Sequence, residues 1–151
     1  MNVLIYKIEK SRGRKLELTE QIKGLIEFHG HLGPYLIIGF KMGELSNELL
    51  GREAGAGSGH FLKKAIVKTG TKPPMSCIID GIQYISGCTL GKGNIEIIDA
   101  QKPEATFIMN KKKLTISLKF LIDTKNRDLE AISNELLHKS SQELFTISKN
   151  F

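Results

Sequence analysis

Apolar residues follow two rhythms along this chain, one near the helical period and one close to the two-residue period of strands. Leu36, Ile37, Phe40, Leu45 and Leu49 recur at helical spacing between a proline at position 34 and a glycine at position 51. Proline is favoured in a first helical turn and glycine just past a last one, so this span predicts a mostly buried helix of about four to five turns. Upstream, Thr19 serves as an N-cap for a short helix with Ile22, Leu25 and Ile26 on its stripe, ending near Phe28. Residues 1–18 read as a weak strand followed by a basic turn around Gly13. Beyond the long helix, "REAGAGSGH" predicts a flexible loop, "FLKKAIVKTG" a strand and "TKPP" a turn. A second buried helix is expected over about residues 74–85, followed by the glycine-rich loop "GCTLGKGN". Three strands are expected over 95–98, 105–109 and 114–122, the last two joined by "NKKK". A closing amphipathic helix over about 127–148 would place Leu129, Ile132, Leu136, Leu144 and Ile147 on one face. Helices ahead of an antiparallel hairpin region, without regular strand–helix alternation, predict an α+β fold with helices packed on an antiparallel sheet.

At 151 residues the chain suits one domain over its whole span. No apolar run approaches the ~20 residues of a membrane helix. The opening apolar patch, Val3–Tyr6, is too short for a signal peptide, so a soluble cytoplasmic protein is expected. Lys and Arg number 22 against 16 Asp and Glu, a net charge of +6. The basic residues lie in short clusters at 10–15, 63–72 and 111–113, none interleaved with aromatic platforms, and Trp is absent. Solvated faces and a hairpin turn account for them, and nucleic acid is not an expected partner. The two cysteines, Cys77 and Cys88, are too few for a disulfide framework or a four-thiolate zinc module. On a helix their 11-residue separation amounts to about 16 Å, beyond disulfide reach, so both are expected as free thiols.

Three places carry candidate chemistry. In His29-Gly30-His31, two imidazoles at i and i+2 of an extended segment would point the same way, a spacing suited to a metal or a polarised substrate. Pro34 opens the next helix, which puts His31 near free backbone donors; two loop histidines capping helix ends is the plainer alternative. In "SCIIDGIQYISGC", a helical wheel at ~100° per residue gathers Cys77, Asp80, Gly81 and Tyr84 on one side, away from Ile78, Ile79, Ile82 and Ile85. Gly81 would admit a ligand or a second backbone, and Asp80 needs a partner in so apolar a helix. Cys77 is equally compatible with a small core residue. In "GCTLGKGN", only three residues separate Gly87 from Gly91-Lys92, so the phosphate-loop spacing fails. What remains is Cys88 on a donor-rich loop with Thr89, Lys92 and Asn94, where a nearby ammonium would favour the thiolate for nucleophilic or metal-ligand work. A structural turn with an incidental thiol is the alternative. His60, in the "GAGSGH" loop, is an outside candidate for the same site.

"FHGHLGPYLIIGFKMG", "SCIIDGIQYISGCTLGKGN" and the hairpin after them resemble the FmdE family, named for a component of formylmethanofuran dehydrogenase, over about residues 23–122. The resemblance implies an α+β core, commonly dimeric, with His29, His31, Cys77, Asp80 and Cys88 lining one cleft. Metal ions, zinc among them, are associated with the family's members, and a mixed nitrogen and sulfur ligand set for a divalent metal would suit zinc best, nickel or iron next. His31, Cys88 and His29 would be the metal's ligands, Cys88, Asp80 and His29 the catalytic groups, and Thr89, Lys92 and Asn94 the cofactor-binding ones. Many members carry Cys-Pro-Gly after the second histidine, where this chain has Gly33-Pro34-Tyr35, and many add a C-terminal cysteine zinc finger, whereas no cysteine follows Cys88. The parent complex's redox chemistry belongs to its molybdenum- or tungsten-pterin and iron–sulfur components; two cysteines cannot hold such a cluster. Three activities stay open: a metal site polarising a carbonyl of a formyl or C1-carrier substrate, an accessory component of a dehydrogenase complex, and a metal-free Cys88 nucleophile with His29 or His31 as base.

Overall fold

The computed structural model describes residues 13–53 and 62–151. Helices α1 (Gly13–His29) and α2 (Pro34–Leu50) lead into strand β1 (Lys63–Thr69). Helix α3 (Cys77–Ser86) is followed by β2 (Ile95–Asp99), β3 (Glu104–Met109) and β4 (Lys112–Leu118). Helix α4 (Leu129–His138), a single turn α5 (Ser141–Leu144) and β5 (Phe145–Lys149) close the chain. The five strands form one sheet in the order β2-β1-β3-β4-β5.

The α+β class holds, with one change to the sheet: β1 and β2 run parallel, Ala65 opposite Ile95 and Val67 opposite Ile97, while the other three pairs are antiparallel. A parallel pair needs a crossover, and α3 supplies it between β1 and β2. Alternation puts Ala65, Val67, Phe107, Leu114 and Ile116 on the covered face of the sheet, all fully buried. Against them lie the buried residues of α2, from Leu36 to Met42, and Ile78 and Ile82 of α3.

Two of the sequence expectations change. The predicted turn at Gly13 is helical, and α1 starts there, ahead of Thr19; the weak strand expected at the N-terminus falls over 1–12 outside the described residues, as do positions 54–60 of the expected loop, His60 among them. The single closing helix is broken. Ser140 accepts the backbone N–H of Glu143 at 3.2 Å while Glu143 Oε2 accepts the Ser140 N–H at 2.7 Å, a capping box that starts a new turn. The chain then extends, and Phe145–Lys149 pairs with β4, so Leu144 and Ile147 serve a turn and a strand rather than one helical face.

Helices α2 and α3 touch backbone to backbone. A Cβ added at Gly39 would lie 2.1 Å from the Ile78 carbonyl oxygen, and one at Gly81 would lie 2.4 Å from the Leu36 carbonyl oxygen. Of the two roles open to Gly81, admitting a second backbone is the one realised. This contact fixes α3, and with it Asp80, relative to the loop leading into α2.

Candidate functional site

His29 is the last residue of α1. Gly30 leaves the helix with φ +108, its N–H donating to the Ile26 carbonyl at 2.6 Å, and His31 follows. That left-handed turn is why glycine stands between the histidines. The rings do meet, with centroids 4.7 Å apart, through a helix end rather than an extended segment. Asp80 sits in the first turn of α3, where free N–H groups favour a carboxylate. It faces α1, and its Oδ2 lies 2.6 Å from His29 Nδ1. A carboxylate only accepts, so Nδ1 carries a proton in this contact, and in the neutral ring the lone pair lies on Nε2. That Nε2 is buried and has no hydrogen-bond partner among the described residues.

His31 is exposed and borders two openings. One, of about 420 Å³, is lined by Ile26, Gly30, His31, Leu32, Leu129 and Glu130. The other, of about 100 Å³, brings His31 together with Gly33, Tyr35, Cys77, Thr124 and Leu129. Burial, then the nearby negative charge of Asp80, pushes the Cys77 thiol above its ordinary range. Tyr35 was not singled out from the sequence, yet its hydroxyl accepts the Ile122 N–H at 3.0 Å and so ties the segment carrying Thr124 to the cleft. Gln83 was also missed; its amide donates to Asp80 Oδ1 at 3.4 Å. Its place three residues after Asp80, on the same helical side, was the available signal.

The glycine-rich loop is built differently from the expectation. Gly87 ends α3 in the left-handed region, φ +79, where a Cβ would meet the Glu53 carbonyl oxygen at 2.5 Å. The chain turns inward, so Cys88 is fully buried, its Sγ 3.7 Å from the Lys63 carbonyl. Burial dominates over the nearby ammonium groups of Lys63 and Lys92 and pushes the thiol up, the reverse of the activation expected for an exposed loop. Neither opening beside His31 is lined by Cys88. Asn94 closes the loop, accepting the Thr89 N–H at 2.9 Å and donating to Lys63 O at 3.2 Å, while Thr89 Oγ1 accepts the Lys92 N–H at 3.3 Å. The polar atoms of Thr89 and Asn94 thus hold the loop's shape.

Beside Cys88 lies a buried cation that sequence reading did not identify. Lys63 is fully buried, and its Nζ donates to Ser46 Oγ at 2.7 Å, Asn47 Oδ1 at 2.9 Å and Gly51 O at 3.0 Å. Those acceptors belong to the end of α2, where a positive charge meets free carbonyls. Burial lowers its pKa to about 8. Its parity with Ala65 and Val67 in the strand alternation was the sequence signal for an inward lysine.

His29, His31 and Asp80 therefore come together with Cys77 nearby. No group of three or more His, Cys, Asp or Glu side chains arranged to hold a metal ion occurs among the described residues. A divalent ion would find two imidazoles, one of them with a buried, unpartnered nitrogen oriented by a carboxylate from the other side. Carboxylate–histidine–metal arrangements use this relation. Among the described residues these are two imidazoles, short of the three side chains of a protein-held metal site. The position of Gly33 also bears on this: a Cβ there would stand 3.8 Å from His31 Nε2. No helix among the described residues is long and apolar enough to cross a membrane.

Fold and site together define an α+β domain with a carboxylate-oriented histidine packed against a second histidine, His31, that borders two openings. Residues 28–146 match the family model described as FmdE, molybdenum formylmethanofuran dehydrogenase operon. The chain belongs to the FmdE family. It is similar to a tungsten formylmethanofuran dehydrogenase FmdE-like protein from Syntrophus aciditrophicus, with a TM-score of 0.57 at 19% identity, over 89% of this chain and 70% of that one. A curated relative from Archaeoglobus fulgidus, a probable S-adenosyl-L-methionine-binding protein, is 34% identical over 97 residues, or 63% of this chain. The match spans only 25% of that relative's length.

Proposed function

We propose that this chain is a small-molecule-binding FmdE domain whose site is His29, His31 and Asp80, and that it takes a divalent cation through the two imidazoles, zinc being the best match. The observation that carries the reading is the buried, unpartnered Nε2 of His29, held in one tautomer by the 2.6 Å contact of Nδ1 with Asp80. An unsatisfied buried nitrogen costs free energy, which a ligand at that nitrogen would recover. A bound divalent ion with open positions supplies a Lewis acid for a carbonyl oxygen of a formyl or C1-carrier substrate. Asp80 fixes the orientation of the His29 ring, and His31 offers a second nitrogen at the cleft mouth. Ile26, Leu32 and Leu129 give the larger opening apolar walls that exclude water from a small ligand. Assembly with other dehydrogenase components, or with a second copy of the chain, is compatible with this site and would fill coordination positions the single chain leaves open.

Zinc competition against a chromophoric chelator tests the reading. His29→Ala and His31→Ala should each weaken zinc binding at least tenfold, the lower end of what even an outer-shell partner contributes, and Cys88→Ser should leave it unchanged. Zinc binding that survives both histidine variants and disappears in Cys88→Ser would overturn it. A second reading, with the same Nε2 as a metal-free proton acceptor, is favoured by the His29–Asp80 geometry alone. It predicts chemistry unaffected by chelators.

A further inference from the structure

We infer that Gln83 is a positioning residue that couples the 88–94 loop to the His29 imidazole; this rests on His29 being the working side chain of the site. Three contacts form an unbroken line. The Leu90 N–H donates to Gln83 Oε1 at 2.9 Å, Gln83 Nε2 donates to Asp80 Oδ1 at 3.4 Å, and Asp80 Oδ2 meets His29 Nδ1 at 2.6 Å.

The amide of Gln83 is polar in opposite senses at its two ends, so it fits this line in only one orientation. Turned over, its NH₂ would face the Leu90 N–H and its carbonyl the Asp80 carboxylate, both repulsive. The loop amide therefore selects the end of Gln83 that reaches Asp80. With Oδ1 engaged by that amide, Oδ2 is the oxygen left for His29, and the imidazole plane follows from it. The line has a weak link, the 3.4 Å contact, and a free end: Leu90 is 75% exposed at the loop tip. A ligand or partner that draws Leu90 away releases the amide, lets the carboxylate rotate and loosens the tautomer of His29. The contacts on the other side of the loop, from Asn94 to Lys63 O and Gly87 O, hold its base, while the tip is tied to α3 through Gln83. The glycine-rich loop thus serves the site through Gln83 rather than by presenting Cys88.

Two variants divide the line at different points. Gln83→Leu removes both ends; Gln83→Glu keeps an oxygen for the Leu90 N–H but sets a carboxylate against Asp80. In metal-free protein, proton NMR reads the downfield His29 Nδ1–H resonance, and hydrogen exchange reads the Leu90 amide. Both variants should move or broaden the His29 resonance, and exchange at Leu90 should quicken at least tenfold in Gln83→Leu only. A His29 resonance unchanged in both variants would overturn the coupling to the site, and unchanged exchange in Gln83→Leu would overturn the coupling to the loop. Because neither readout needs zinc, a failure of the metal reading in the chelator competition leaves this result separately interpretable.

Discussion

Gly39→Ala tests the close crossing of α2 and α3 that places Asp80. The new Cβ would stand 2.1 Å from the Ile78 carbonyl oxygen and 2.8 Å from both the carbonyl carbon and Cα of Ile78. These are backbone atoms of a helix, so no side chain can swing aside. Restoring an ordinary contact of 3.4 Å along that line requires 3.4 − 2.1 = 1.3 Å of separation. Opening a packed interface by about 0.5–1 Å already forfeits a quarter to a half of each contact's attraction. The residues that would lose it are the fully buried Leu36, Phe40, Ile78 and Ile82. Overpacking of this kind costs about 1–3 kcal/mol, and larger values follow where backbone must move. Replacing a helical glycine by alanine returns about 1 kcal/mol of propensity. A net loss of about 2 kcal/mol is expected, read from urea denaturation followed by far-UV circular dichroism. Gly91→Ala is the control, since nothing lies within 4 Å of a Cβ there; it should stay within ~0.5 kcal/mol of the parent, as surface changes do. A Gly39→Ala protein as stable as the control would refute the argument that the crossing depends on the missing side chain.

Further outcomes follow from other parts of the structure. Gly33 precedes α2 in an extended conformation, φ −146, that any residue can adopt, so Gly33→Cys should fold normally and, with its Cβ 3.8 Å from His31 Nε2, tighten zinc binding at least tenfold in the chelator competition. Burial holds Lys63 near pKa 8 in the folded chain against 10.5 for an ordinary lysine. The unfolded state then binds more protons at Lys63 between those values, so this residue contributes a rise in stability with pH through that window, about 1 kcal/mol from pH 8 to 9 and opposed by the two raised thiols. Lys63→Met should abolish that rise in denaturation curves taken at the two pH values. Both thiols are pushed above the ordinary range, so iodoacetamide should label native protein slowly at neutral pH. Cys88, fully buried, should react after Cys77 and only as fast as the chain opens; faster labelling of Cys88 would contradict its placement.

How much of this was readable beforehand depended on whether the signal was local. Pro34 and Gly51 bracket α2 by their own backbone preferences, and the helix ends where they stand. The closing segment reads as one helix because Leu136, Leu144 and Ile147 keep a helical rhythm across Ser140, whose capping box restarts the chain. Strand alternation reveals which residues face inward but carries no direction, so the parallel pairing of β1 with β2 was invisible. At the site, the histidine pair was legible from its chemistry, and Asp80 from the cost of an acid among isoleucines. Its partnership with His29 was not, since 51 residues separate them. The helical wheel that grouped Cys77 with Asp80 had no means of following the chain past the left-handed Gly87, which sends Cys88 into the core beside Lys63.

Zinc K-edge X-ray absorption on the zinc-loaded protein tests the central claim most directly, because imidazole nitrogen and thiolate sulfur scatter at different distances. The account predicts a first shell of nitrogen and oxygen at about 2.0–2.1 Å, with the outer-ring scattering of two imidazoles and no sulfur. A sulfur shell at about 2.3 Å would instead put a cysteine on the metal and contradict the assignment of the site to His29 and His31.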